Sequence, residues 1–308
     1  MVKTSQKGYG WNRYKNVSVP WSSYDQHNTS ICREILGFET MFSDLDVPVQ
    51  GREFPLSGLV VLLLLKVMLG VSYRTMSSLI KDLRLYLLVG FKRAPCYKTL
   101  QNTMSYLDSE ILYRVNRELV PSRVRLAGMD ASGLRTARKG GWVVIRFGHK
   151  QRKRDYKKLH ILVDLETKKI LYCTLTNGTA ADSPQLPIHL QQTEWIKFET
   201  VLADGGYDTR TCFNSINERN ARPGIPVRKN ASSRARGCSS RRHAVLEQQK
   251  DKEKWKISVK YTMRVIVECV FSATKRRYGD ALASIRDDFR ILEAWLRTLL
   301  WNISIYPR

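Results

Sequence analysis

The chain has 308 residues, and 52 lysines and arginines against 28 aspartates and glutamates give it a formal charge of +24. That surplus is far beyond what solubility requires, so DNA or RNA is the expected counterion. An apolar content of 43% excludes a mainly disordered chain and leaves room for one large or two medium domains with a real core.

Residues 1–50 have little periodicity and many Ser, Asn, Tyr and basic residues, which reads as a basic N-terminal arm. After Pro55 the pattern turns helical. Leu56 to Leu69 forms one helix, Ser72 caps a second running to about Leu83, Pro95 opens a third containing Tyr97 to Tyr106, and a fourth runs from Asp108 to about Val120. Short helices joined by tight turns, with Lys98, Thr99, Gln101 and Asn102 exposed on one of them, suit a helix-turn-helix that reads groove edges. A small helical bundle without a DNA role has the same pattern. Residues 51–121 are read as this helical DNA-binding domain, and 122–308 as a catalytic domain.

Beyond Ser122 the pattern gives a strand to Asp130, a hairpin of about Gly141 to Phe147 and Tyr156 to Asp164, and a third strand from Ile170 to Leu175. A helix after Asp182-Ser-Pro184, a strand to Asp204, a helix from Thr209 and a strand at Ile225 follow. A long helix around Glu268 and a last amphipathic helix from Asp288 to Ile303 complete the chain. This order predicts an α/β fold, a mixed five-stranded sheet flanked by helices.

Three acidic segments carry the chemistry. Tyr261-Thr-Met-Arg264-Val-Ile-Val-Glu268, continued to Lys275, sets four polar residues within about 60° of one another on a helical wheel. An otherwise apolar helix is expected to be buried, so Glu268 needs cationic partners or a metal. Val124 to Asp130, followed by Gly133, reads as a short strand ending in an aspartate at a turn, and Thr200 to Asp204, followed by two glycines, repeats the design. Acids there would sit at the carboxyl edge of a sheet, where sites in α/β proteins tend to lie.

Asp130, Asp204 and Glu268, the last within Tyr261-x2-Arg264-x3-Glu268-x6-Lys275, resemble the catalytic acids and signature of prokaryotic insertion-sequence transposases of the DDE class, over roughly residues 56 to 303. The resemblance implies a ribonuclease-H-like catalytic domain in which the three acids hold two Mg²⁺ ions, with Mn²⁺ able to substitute. Arg264 and Lys275 would grip phosphates, and Tyr261 would position the strand. It also implies double-stranded DNA partners, element ends and target, and a homodimer in the DNA complex. The interval from Asp204 to Glu268 is short beside relatives that insert a β-rich domain there, so no function of that insertion carries over. A cellular nuclease of the same fold, or an inactive DNA-binding copy of such an element, are the alternative readings.

Two basic runs bracket the acids: Arg135 to Lys158, with Lys150, Arg152, Lys153 and Arg154, and Arg228 to Arg242, with Arg228 and Lys229. Both read as charged loops that neutralise phosphates without sequence preference, although either alone could be a solvated loop. His160, Asp164, Asp182 and Asp208 read as structural, with Asp208 also able to orient a ligand carboxylate. Cys32, Cys96, Cys173, Cys212, Cys238 and Cys269 are scattered, so neither a zinc ribbon nor a disulfide framework is expected, and the compartment is read as reducing. No export signal opens the chain, and Leu59 to Leu65 is too short a run for a membrane span. The expected location is cytoplasmic, associated with the nucleoid.

Overall fold

The computed structural model describes residues 42–43, 53–136, 156–234 and 236–305. The N-terminal arm apart from 42–43, the predicted strand at 141–147, and Lys150, Arg152, Lys153 and Arg154 lie outside the described residues.

The helical region starts with α1 (Leu56–Leu69), which ends where Gly70 takes the left-handed conformation. Next come α2 (Tyr73–Asp82), the single turn α3 (Leu85–Leu88), α4 (Tyr97–Tyr106) and α5 (Ser109–Leu119). Ser72 caps α2 by accepting from the Thr75 amide at 3.1 Å, and Asp108 caps α5 by accepting from Ile111 at 2.7 Å. A bend of 112° separates α1 from α2. Met76 and Ile80 of α2 and Leu100 and Met104 of α4 are buried, and the Arg74 guanidinium lies 4.7 Å from the centre of the Tyr97 ring, tying the two helices together. Lys98, Gln101 and Asn102 point outward from α4, whereas Thr99 is half-buried.

The sheet has the strand order β3-β2-β1-β4-β5, built from β1 (Arg123–Thr136), β2 (Tyr156–Asp164), β3 (Ile170–Asn177), β4 (Lys197–Leu202) and β5 (Arg222–Gly224). β2 runs antiparallel to both β1 and β3, and β4 and β5 run parallel to β1. This is the mixed sheet flanked by helices anticipated from the element order. A two-residue β6 (Ala281–Leu282) joins the far end of β1 as a sixth strand. Helices α6 (Gln185–Gln192), α7 (Arg210–Glu218), α8 (Ser239–Lys250), α9 (Lys252–Ser258), α10 (Val265–Tyr278) and α11 (Asp287–Ser304) complete the chain. One apolar core runs through sheet and helices, with α1 packed on α10 and α11.

Two strand boundaries depart from the sequence reading. β1 does not stop at Asp130: it stays paired to β2 as far as Arg135 opposite Tyr156, so Gly133 continues the strand instead of turning it. β5 ends at Gly224, immediately before the strand expected at Ile225. α8 takes in only the end of the run read as charged loop, from Ser239 to Arg242, and α8 and α9 fill a stretch before Lys260 for which the sequence reading gave no element.

α11 holds the assembly together through a buried amide network. The Asn302 side chain accepts from the Ile170 amide at 2.8 Å and donates to the Asn116 side-chain oxygen at 2.7 Å, and Asn116 donates to the carbonyls of Ile170 and Leu171. Fully buried polar groups that are all paired keep helix and strand in register.

Candidate active site

Register places the first two acids side by side. The last parallel pair between β1 and β4 is Gly128 with Leu202, so Asp130, within β1, and Asp204, just past the end of β4, each lie two residues beyond it. β1 carries on beyond this point but β4 does not, which leaves a notch at the carboxyl edge of β4. Asp204 begins the 3₁₀ turn Gly205–Tyr207 and accepts from the Gly206 amide at 2.8 Å. A Cβ on Gly206 would come within 3.0 Å of that same carboxylate oxygen, so glycine keeps the turn tight against the acid. Asp130 is half-buried: burial raises its pKa, and the negative charge of Asp204 raises it further, against the Ala131 amide and Arg264, which lower it.

The Tyr-Arg-Glu-Lys segment is not one α-helical stripe. Lys260 takes a left-handed conformation (φ 53°), Tyr261–Arg264 form a 3₁₀ turn, and α10 starts at Val265. Nor is Glu268 buried, because α10 lays only Val267, Val270, Phe271 and Tyr278 on the core and turns Glu268, 54% exposed, outward. Arg264 still reaches both acids. One of its terminal nitrogens donates to Asp130 Oδ2 at 2.9 Å and the other to Glu268 Oε1 at 2.5 Å. Burial opposes the charge on Arg264, but Asp130, Tyr261 and Glu268 outweigh it and raise its pKa. Tyr261 packs on Trp255, ring centres 5.5 Å apart, and burial raises its phenol above the usual range. Lys275, two turns beyond Glu268, donates to Ser132 Oγ at 2.6 Å, and burial lowers its pKa.

Gly128 sets how closely α10 approaches the sheet. A Cβ there would lie 2.6 Å from Val267 Cγ2 and 2.8 Å from Leu165 Cδ2, so only glycine allows this contact beside Glu268. The sequence reading passed over Gly128 and Ser132. A glycine inside an apolar strand, two residues from a candidate acid, is the signal that would have found the first. Nothing in the sequence pairs Ser132 with Lys275.

The other residues singled out are placed as follows. Asp208 is buried and takes Arg241 on both oxygens, at 2.7 and 3.0 Å, plus the Arg228 amide at 3.0 Å, so it organises the turn before α8. Arg228 and Lys229 are exposed on that turn, whereas Arg241 is consumed by Asp208. Asp164 closes the β2–β3 turn through the Glu166 amide and the Thr167 hydroxyl. Asp182 pairs with Lys158 at 2.8 Å, and His160 is fully buried against the Thr176 hydroxyl.

Three hard oxygen donors, two of them close enough to repel, suit a divalent cation better than a neutral cavity. Arg264 shows that positive charge is accommodated between Asp130 and Glu268. Among the described residues no three acidic, histidine or cysteine side chains converge on one point as they stand.

Residues 125–303, more than half of the chain and spanning all three acids, match the family model for the transposase DDE domain. The chain belongs to that transposase family. DDE transposase domains generally use divalent metal ions. Among solved structures, the cryo-EM structure of the piggyBac transposase synaptic complex with hairpin DNA is similar at 10% identity and a TM-score of 0.40, covering 94% of this chain and 75% of that one.

Proposed function

We propose that this DDE transposase cuts the ends of its element and joins them to target DNA by metal-dependent phosphoryl transfer, acting in the cytoplasm at the nucleoid. The observation that carries this is the placement of Asp130 and Asp204 at matching positions past the last β1–β4 pair, with Glu268 joined to Asp130 through Arg264. Asp130, Asp204 and Glu268 would hold two Mg²⁺ ions, or Mn²⁺ in their place, which when bound activate the attacking oxygen and stabilise the leaving one. Arg264, in the turn before α10, and Lys275, on α10, would grip the phosphates flanking the scissile bond, and Tyr261, braced by Trp255, would position the strand. Arg228 and Lys229, with Lys150, Arg152, Lys153 and Arg154, would follow the backbone without reading sequence.

In this reading residues 51–121 supply sequence recognition through Lys98, Gln101 and Asn102, the arm at 1–50 adds charge, residues 122–308 carry out the chemistry, and two copies act together on paired ends. The test is nicking and strand transfer on DNA that carries the gene's flanking sequence. Asp130→Ala, Asp204→Ala and Glu268→Ala should each abolish Mg²⁺-dependent nicking while DNA binding stays intact. A variant that still nicks loses its place in the site, and cutting without joining would leave a plain nuclease.

A further inference from the structure

Arg264 is committed twice. Its planar fork spans two different carboxylates, taking Asp130 Oδ2 at 2.9 Å and Glu268 Oε1 at 2.5 Å, while Asp130 Oδ1 accepts from the Ala131 amide at 2.8 Å. Both oxygens of Asp130 are therefore engaged. The need for this cation is local: Asp130 is desolvated and repelled by Asp204, so its charged form requires compensation. A divalent ion bound by these acids would want the same two oxygens and would repel the guanidinium.

A guanidinium pairs with phosphate through the same two-pronged geometry it uses on carboxylates. The Arg264 side chain is 21% exposed and pairs with a Glu268 that is itself 54% exposed, so the guanidinium can be reached from solvent. Resting on the proposed function, we infer that Arg264 is a built-in counter-ion that a DNA phosphate draws away before the carboxylates take their divalent ions. DNA and metal then bind cooperatively. Because linkage is reciprocal, metal tightens DNA by the same factor that DNA tightens metal.

The experiment is Mn²⁺ binding to the full-length protein, read by the loss of the free-ion paramagnetic resonance signal, with and without a short duplex whose own Mn²⁺ uptake is measured separately. Arg264→Gln keeps a planar, hydrogen-bonding end group on a shorter side chain and removes the charge. Without DNA it should bind Mn²⁺ about fivefold or more tighter than the wild type, within the usual range of coupling between sites. The duplex should tighten Mn²⁺ binding in the wild type and leave Arg264→Gln unchanged. A variant that binds Mn²⁺ no tighter than the wild type, or a duplex that tightens both equally, overturns the proposal. If Arg264→Gln does not fold, the wild type alone decides, since no tightening by DNA is equally fatal. The double variant Asp130→Asn with Asp204→Asn separates the two readings. Wild-type Mn²⁺ binding there defeats the metal assignment itself, whereas lost binding there with no effect at Arg264 defeats only the coupling.

Discussion

Gly128→Ala is the sharpest probe of how the site is built, because a single methyl group lands where α10 meets the sheet. The new Cβ would sit 2.6 Å from Val267 Cγ2, against the roughly 3.5–4.0 Å at which two carbons rest comfortably. Leu165 Cδ2, at 2.8 Å, is the end of a flexible side chain and can turn aside, but Val267 is β-branched on a helix and stiff. The helix must therefore retreat by about 1 Å or store the strain. Overpacking of this kind costs about 1–3 kcal/mol of stability. The larger effect falls on chemistry, since Glu268 is the next residue along and a 1 Å misplacement in a reacting constellation can cost about 100-fold in rate. Single-turnover nicking at saturating Mg²⁺, measured beside the melting temperature, should show this disproportion. Removing the obstructing methyls with Val267→Ala in the Gly128→Ala background should restore much of the rate, a coupling between neighbours that independent sites would not show. Full activity in Gly128→Ala, or a defect that Val267→Ala does not relieve in a stable protein, would refute the argument that this glycine sets the position of Glu268.

Asp208→Ala should lower stability by about 3–5 kcal/mol in chemical denaturation, because it strands Arg241 and the Arg228 amide, and a loss within 1 kcal/mol would contradict the assigned role. Burial lowers the pKa of His160 to about 4 and of His189 to about 3. Both are neutral in the fold while the unfolded chain takes up protons, so their contribution is present above about pH 6.5 and is lost as pH falls toward 4. The unfolding free energy from urea titrations should fall between pH 6.5 and 5 by up to about 1.4 kcal/mol per pH unit per histidine, with the slope roughly halved in His160→Gln, and a flat profile would count against it. Replacing Lys98, Gln101 and Asn102 together with alanine should erase preference for terminal-repeat over scrambled duplexes in competition binding and spare non-specific nicking, since groove-edge contacts carry the sequence information. Retained preference would move end recognition elsewhere.

The legible parts of this chain are those set by local chemistry. Ser72, Asp108 and Thr209 announce helix starts because a short polar side chain before an apolar stretch satisfies an otherwise unpaired amide. Asp204 was readable for a similar reason, as an acid before two glycines. What stayed hidden depends on partners distant in sequence. β1 runs past Asp130 only because β2 offers it a ladder, and the Asp208–Arg241 pair joins residues 33 apart. α8 buries little beyond Ala244, Val245 and Gln248, so its basic sequence carries no apolar stripe to set it apart from a loop. The four signature residues suggested one helical face, yet the left-handed Lys260 and the turn after it gather Arg264 and the acids by a different backbone path.

The amide network that locks α11 to β3 also sets the order in which the fold can be completed. Its hydrogen bonds span 132 and 186 residues, so the Ile170 amide finds its side-chain partner only after Asn302 has been made. At the usual synthesis rate of about 5–20 residues per second, on the order of ten to thirty seconds separate the appearance of Asp130 from that of Asn302. Through that interval the apolar strands lack the helix that covers them and depend on chaperones or on the ribosome's shelter. The three acids are thus all synthesised before the helix that completes the fold around them, and the assembled site is a product of the last residues as much as of the acids themselves.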